Sequence, residues 1–157
     1  ARTKDLIIFE DKMDKVAKNL YMCTDDGSYG FHGNVTVMLD ELVTNRGMEY
    51  DQAIVIGPMI MMKFACLATK KLNIPTIVSL NTIMVDGTGM CGACRISIGD
   101  DVKFACVDGP EFDGWLVNFD EAMKRQQMFK SEEGRKTLRK QDGPTHSSPN
   151  CQIGGKH

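Results

Sequence analysis

The chain has 157 residues, a formal net charge of −2 and a hydrophobic fraction of 42%. That length holds one modest domain or two small ones. The near-balanced charge supplies no basic surface for nucleic acid or anionic lipid, and no apolar run approaches the ~20 residues of a membrane helix. The opening Ala1-Arg2-Thr3-Lys4-Asp5 is not followed by the apolar core of a secretory signal. Six cysteines in such a chain read as reduced cytoplasmic thiols or metal ligands, not as a disulfide framework.

Asp5 is placed to cap a helix with apolar positions at Leu6, Phe9, Met13, Val16, Ala17 and Leu20. The alternative is a strand over Leu6–Phe9 leading into a shorter helix. A short strand is expected at Leu20–Thr24, then a turn at Asp25-Asp26-Gly27-Ser28. Val35, Met38, Leu39 and Leu42 mark a second helix, ending near Arg46-Gly47. Gln52–Ile56 reads as a buried strand running into Gly57-Pro58. A helix from about Met59 to Lys71 carries Met62, Ala65, Cys66 and Thr69, and Ile74–Leu80 supplies another strand. Strands and helices alternating at these lengths predict an α/β domain with a parallel sheet. The eleven methionines read as flexible core filler.

After Leu80 the pattern changes. Arg95–Ile98 and Val102–Ala105 predict a hairpin turning at Gly99-Asp100-Asp101, and Asp120–Glu133 a polar helix. From about Gly134 the charged, then Ser/Pro/Gly-rich tail reads as loosely ordered, with Cys151 as an idle thiol. The boundaries that follow are 1–80 for the α/β part, 81–117 for the glycine-rich part and 118–157 for the polar helix and tail.

The chemistry concentrates in Asp86-Gly-Thr-Gly-Met-Cys91-Gly-Ala-Cys94, with Cys106 after the hairpin. The plant-type iron–sulfur spacing C-x4-C-x2-C…C places a fourth ligand at position 86. That residue is Asp86, whose carboxylate can bind iron through oxygen. The reading is a [2Fe–2S] site held by Asp86, Cys91, Cys94 and Cys106. The same donors suit tetrahedral Zn2+, and unpaired buried cysteines are a further alternative. Gly87, Gly89 and Gly92 favour a chain wrapped closely around a bound group. No side chain sits beside a base at the spacing of a catalytic triad, and no G-x-G-x-x-G occurs.

Three segments together, 78–95, 103–114 and Thr24–Gly30, resemble the ferredoxin-reductase-like electron-transfer subunits. These are the subunits of dihydroorotate dehydrogenase, of sulfide dehydrogenase, and the small subunit of NADH-dependent reduced ferredoxin:NADP oxidoreductase. The likeness covers about residues 1–130. Asp86 resembles the second and third of these; the dihydroorotate dehydrogenase branch has Cys there.

The resemblance implies a partial parallel-sheet nucleotide-binding domain of the ferredoxin-reductase type, followed by a small glycine-rich β domain with a [2Fe–2S] cluster. It implies NAD(H) or NADP(H) and FAD as further cofactors, and electron transfer to a larger flavoprotein or iron–sulfur catalytic subunit, with ferredoxin as a second candidate partner. Gly57, Pro58 and Met61 resemble a turn lying against nicotinamide. Thr24, Asp25, Asp26, Gly27 and Ser28 end a strand at the expected ligand edge, and Arg2 aligns near the adenosine ribose. By the same resemblance the chain corresponds to the carboxyl-terminal portion of a longer subunit. The first two strands of the nucleotide domain and the FAD region are expected from another segment or chain. The alternative function is a non-catalytic assembly module holding zinc or a cluster.

Overall fold

Short β-branched runs separated by one long apolar helix set the order of elements. The computed structural model describes residues 1–141; Cys151 and the rest of the tail lie outside the described residues. In chain order the elements are α1 (Glu10–Asp14), β1 (Cys23–Thr24), β2 (Phe31–His32), α2 (Val35–Asp40), β3 (Ala53–Ile56), α3 (Met59–Lys71) and β4 (Thr76–Ser79). There follow β5 (Arg95–Ile98), β6 (Asp101–Phe104), β7 (Glu111–Asp113), α4 (Phe119–Arg125) and α5 (Lys130–Gln141).

β3 and β4 run parallel, Ala53 opposite Thr76 and Ile56 opposite Ser79, with α3 as the crossover that a parallel pair requires. Met59, Met62, Ala65, Cys66 and Thr69 fall on one face of α3 and are buried. β1 and β2 form a separate parallel pair. Asn34 caps α2 by accepting from the amides of Thr36 and Val37, and the helix continues through a wider turn of π type at Glu41–Asn45.

The segment after Leu80 returns to the same sheet. β7 pairs antiparallel with β4, Phe112 opposite Val78. One core therefore joins Met59, Met62, Cys66, Val78 and Leu80 to Ile96, Val117, Phe119 and Ala122. β5 and β6 form the expected hairpin, Arg95 opposite Phe104 and Ile98 opposite Asp101. Among the described residues no helix is long and apolar enough to cross a membrane.

Several expectations need correction. The long helix from Asp5 does not form. A 3-10 turn at Lys4–Leu6 is followed by Phe9 at φ 60°, and only α1 is helical. Leu6, Ile8, Phe9, Met13 and Val16 remain exposed, so the apolar periodicity has no core to face among the described residues. The polar helix of Asp120–Glu133 is two helices, interrupted between Arg125 and Lys130. The tail is helical as far as Gln141. β7 was not expected, because Glu-Phe-Asp carries no strand signature. Methionine fills the core at Met38, Met59 and Met62, while Met84 and Met90 are exposed beside the glycine loop.

Candidate functional site

The glycine loop leaves β4 at Leu80 and enters β5 at Arg95. Gly87, Gly89 and Gly92 hold φ values of 77°, 81° and 68°, a backbone region that costs an L side chain about 1–2 kcal/mol. Gly89 also lies close to its surroundings: a Cβ there would stand 2.9 Å from Val107 Cγ2. The loop therefore bends back on the turn that carries Cys106.

The hairpin does what its spacing predicted. Cys94 precedes β5, Cys106 follows β6, and the Ala105 amide donates to the Cys94 carbonyl at 3.2 Å. The two sulfurs lie 3.2 Å apart. Two thiolates at ~2.3 Å from one tetrahedral metal stand about 3.8 Å apart, so a small opening lets this pair grip one metal. Cys94 is buried and Cys106 half-buried. The Cys94 thiol raises the Cys106 pKa first and burial adds to it, while the Gly89 amide, facing the Cys106 sulfur, opposes the rise. The turn is fixed by Asp108, whose carboxylate accepts from the Phe104 amide at 2.7 Å.

Asp86 and Cys91 are exposed neighbours on the loop, near enough for Cys91 to act on the Asp86 carboxyl. The Thr88 amide donates to Asp86 Oδ1 at 2.9 Å and is the main reason the carboxyl lies below its ordinary range; the Cys91 thiol and amide add to this. Cys91 is exposed. The four predicted donors thus come as two pairs, Asp86 with Cys91 and Cys94 with Cys106. Among the described residues no three His, Cys, Asp or Glu side chains gather as a site for a single metal ion.

The residues expected at a nucleotide form two groups. The Asp25 amide donates to the Ala1 carbonyl at 3.1 Å and the Asp26 amide to the Arg2 carbonyl at 3.2 Å. Ser28 Oγ accepts from the Lys4 amide at 2.9 Å. Arg2 and the turn at Asp25–Ser28 are therefore neighbours. Ser28 donates through its hydroxyl (2.6 Å) and its amide (3.0 Å) to Asp26 Oδ1, and these bonds hold the Asp26 carboxyl below its usual range. Thr24 differs from the expectation. It is fully buried, and its hydroxyl is bonded to the Tyr29 carbonyl and amide. It shapes the turn and presents no atom to a ligand. Gly57 and Pro58 stand at the end of β3 and the head of α3, with the Met61 methyl folded over Gly57. Among the described residues no hydrogen bond joins them to the turn at Asp25–Ser28.

With this geometry in view, the comparisons are specific. Residues 81–118 match the family described as the iron–sulfur cluster binding domain of dihydroorotate dehydrogenase B. A Thermotoga maritima protein named as a homologue of the dihydroorotate dehydrogenase B (NAD(+)) electron transfer subunit is 47% identical over 133 residues, 85% of this chain and 46% of the relative. The chain is similar to these electron-transfer subunits over most of its own length. A Clostridium beijerinckii protein of the adh 3′ region is 63% identical over 155 residues, 99% of this chain and 52% of its own length. A solved chain of an NADH-dependent reduced ferredoxin-NADP oxidoreductase, reported for flavin-based electron bifurcation, superposes with a TM-score of 0.74 at 44% identity. It is matched over 88% of this chain and 50% of its own. The chain spans about half the length of the curated relatives it matches.

Sequence reasoning placed a helix over α4 but missed its bonds to the glycine loop. Arg125 and Gln126 bond to both ends of the glycine loop, across more than thirty residues, and nothing local in the sequence signals it.

Proposed function

We propose that this chain is the cluster-bearing, nicotinamide-facing part of an electron-transfer subunit in a flavin and iron–sulfur oxidoreductase. The observation that carries this reading is the pairing of the donors. A [2Fe–2S] cluster presents two metals, each needing two protein ligands, and Asp86/Cys91 with Cys94/Cys106 matches that demand. One zinc ion needs all four donors on one point, which the two pairs do not offer. The zinc form of the assembly-module reading is therefore the weaker one.

When bound, such a cluster supplies reversible one-electron transfer. The chain's own residues do the rest. Cys94 and Cys106 hold the buried side of the site, and Asp86 and Cys91 the exposed side. The Gly89 amide opposes the rise in the Cys106 pKa, and polar groups beside a ligand sulfur tune potential. The Asp86 oxygen replaces a softer sulfur donor, which sets this site apart from an all-cysteine one. For the nucleotide, Asp25, Asp26, Gly27 and Ser28 with Arg2 form one contact group and Gly57, Pro58 and Met61 the other. Asp26 suits a ribose hydroxyl; a ring would approach the end of β3 at Gly57 once the flexible Met61 side chain swings aside. Both NAD(H) and NADP(H) fit these groups. FAD is assigned to residues beyond those matched here, and a larger catalytic subunit or ferredoxin to the role of redox partner.

The test is metal analysis of anaerobically prepared protein. Iron and acid-labile sulfide in equal amounts, with a visible charge-transfer spectrum, are expected. Stoichiometric zinc without labile sulfide would sink the proposal and restore the assembly-module reading.

A further inference from the structure

α4 carries three connections to the glycine loop and hairpin. Arg125 Nη2 donates to the carbonyls of Gly92 at 2.9 Å and Ala93 at 3.3 Å, the two residues between Cys91 and Cys94. Gln126 Nε2 donates to the Asn81 carbonyl at 2.8 Å, where the loop begins. Glu121 accepts from Ser97 Oγ on β5 and lies 4.0 Å from Arg95. The helix is itself anchored to α3 by Lys63, whose Nζ lies 2.7 Å from Asp120 Oδ1. Arg125 Nε and Thr82 Oγ1 are buried with no hydrogen-bond partner among the described residues. Both border a cavity of about 10 Å³, about the room one water needs. The two unpartnered polar atoms favour a bridging water there, which would tie Thr82 to the same guanidinium.

We propose that Arg125 is a positioning residue for the iron–sulfur loop, which holds Cys91 and Cys94 in register and raises the cluster's reduction potential by its charge. The planar guanidinium reaches two adjacent carbonyls from one atom and keeps a further N–H for the cavity, a geometry an ammonium does not reproduce. Its carbonyl acceptors lie directly between two ligands, so any shift of Arg125 moves the loop that spaces them. The guanidinium charge favours the more negative, reduced state of a nearby redox group, which moves the potential upward. The half-burial of Arg125 limits screening by salt. This inference rests on the cluster reading and adds to it a residue that touches none of the ligand side chains.

Two substitutions in the full chain separate geometry from charge. Arg125→Lys keeps the charge and loses the fork; Arg125→Gln loses the charge. Cluster release to a chelator and midpoint potential by spectroelectrochemical titration are the readouts, with far-UV circular dichroism and thermal unfolding of the cluster-free chain as controls. Both variants should release iron several-fold faster than the wild type while the cluster-free fold is unchanged. Arg125→Gln should lower the potential by a threefold to tenfold change in the one-electron equilibrium, the latter about 59 mV. Arg125→Lys should restore most of that shift. Wild-type release rates and potentials in both variants would overturn the proposal. So would unfolding of both, which would make Arg125 a general stability residue. An unchanged potential in Arg125→Gln alone would remove the electrostatic half. Labile sulfide in the wild type tests the underlying cluster reading separately; if zinc is found instead, the same release measurement on zinc reads the clamp.

Discussion

The buried and exposed halves of the candidate site are built by different means. Cys94 and Cys106 stand at the two ends of a hairpin whose backbone is paired throughout, and Cys94 is 1% exposed. Asp86 and Cys91 sit on a loop without regular structure, shaped by glycines at positive φ and flanked by Val85 and Met90, 70% and 89% exposed. One half is fixed by a ladder and a core, the other by local turn chemistry and by Arg125. The difference teaches where the site tolerates variation. A donor in a dry, paired environment has no substitute, whereas water can replace one on the rim. The proposed oxygen ligand at position 86 would lie on the tolerant side.

Cysteine substitution should break this contrast most directly. Cys94→Ala or Cys106→Ala should abolish cluster loading, because among the described residues no further His, Cys, Asp or Glu side chain gathers beside this pair. Cys91→Ala should cripple it but leave a measurable fraction, with solvent as the replacement ligand. Iron and labile sulfide per chain measure both, and equal losses in all three variants would erase the distinction. A subtler pair tests the loop. Gly87 and Gly89 both hold positive φ, but only Gly89 faces a neighbour, Val107, while nothing lies within 4 Å of a Cβ at Gly87. Alanine at either costs about 1–2 kcal/mol of backbone strain. At Gly89 the clash adds to this, and loading should fall by roughly tenfold, the equivalent of 1.4 kcal/mol. Gly89→Ala no worse than Gly87→Ala would show that the loop is not pressed against the Cys106 turn.

How much of this was legible in the sequence follows from the range of the forces involved. The hairpin that returns Cys106 to Cys94 could be read from a turn and two short runs, because spacing along a ladder is local. α3 was read at its observed bounds, since its buried face repeats at helical spacing within one segment. β7 could not be read: Glu111–Asp113 is a strand only because β4 offers it an edge. The amino-terminal helix was wrongly expected for a related reason. Periodicity reports a face that wants burial, and Leu6, Met13 and Val16 find none among these residues. The four candidate donors were proposed from spacing, but their arrangement as two neighbouring pairs was not, since it depends on how Gly87, Gly89 and Gly92 turn the loop. Arg125 left no local trace at all.

The ligand at position 86 offers a smaller and sharper test. Asp86→Cys should retain the cluster, because the exposed rim accommodates a thiolate where a carboxylate stood. Its potential should shift on the order of a tenfold change in the one-electron equilibrium, about 59 mV, read by the same spectroelectrochemical titration. Loss of all cluster absorption in this variant would contradict Asp86 as a ligand position.

Cys66 gives the contrast its reference point, as a buried thiol that no metal pair claims. It is 4% exposed on α3, and burial, helped by the Asp113 charge, pushes its pKa up to about 11. At pH 8 an alkylating agent should therefore modify the exposed Cys91 of the cluster-free chain rapidly and Cys66 only on unfolding. The raised pKa also fixes a direction for stability. The folded state favours the neutral thiol, so its contribution is intact below the ordinary value of 9 and is lost as pH rises through about 11. Tyrosines and lysines titrate over the same range, so the wild-type curve alone does not isolate it. Cys66→Ala removes this one group. It should lower the unfolding midpoint modestly at pH 8, from the small cavity it opens, and flatten the decline between pH 9 and 11. Parallel curves for the two proteins would mean that the thiol ionises as readily folded as unfolded, and that its place in the core is wetter than the packing of α3 against β4 implies.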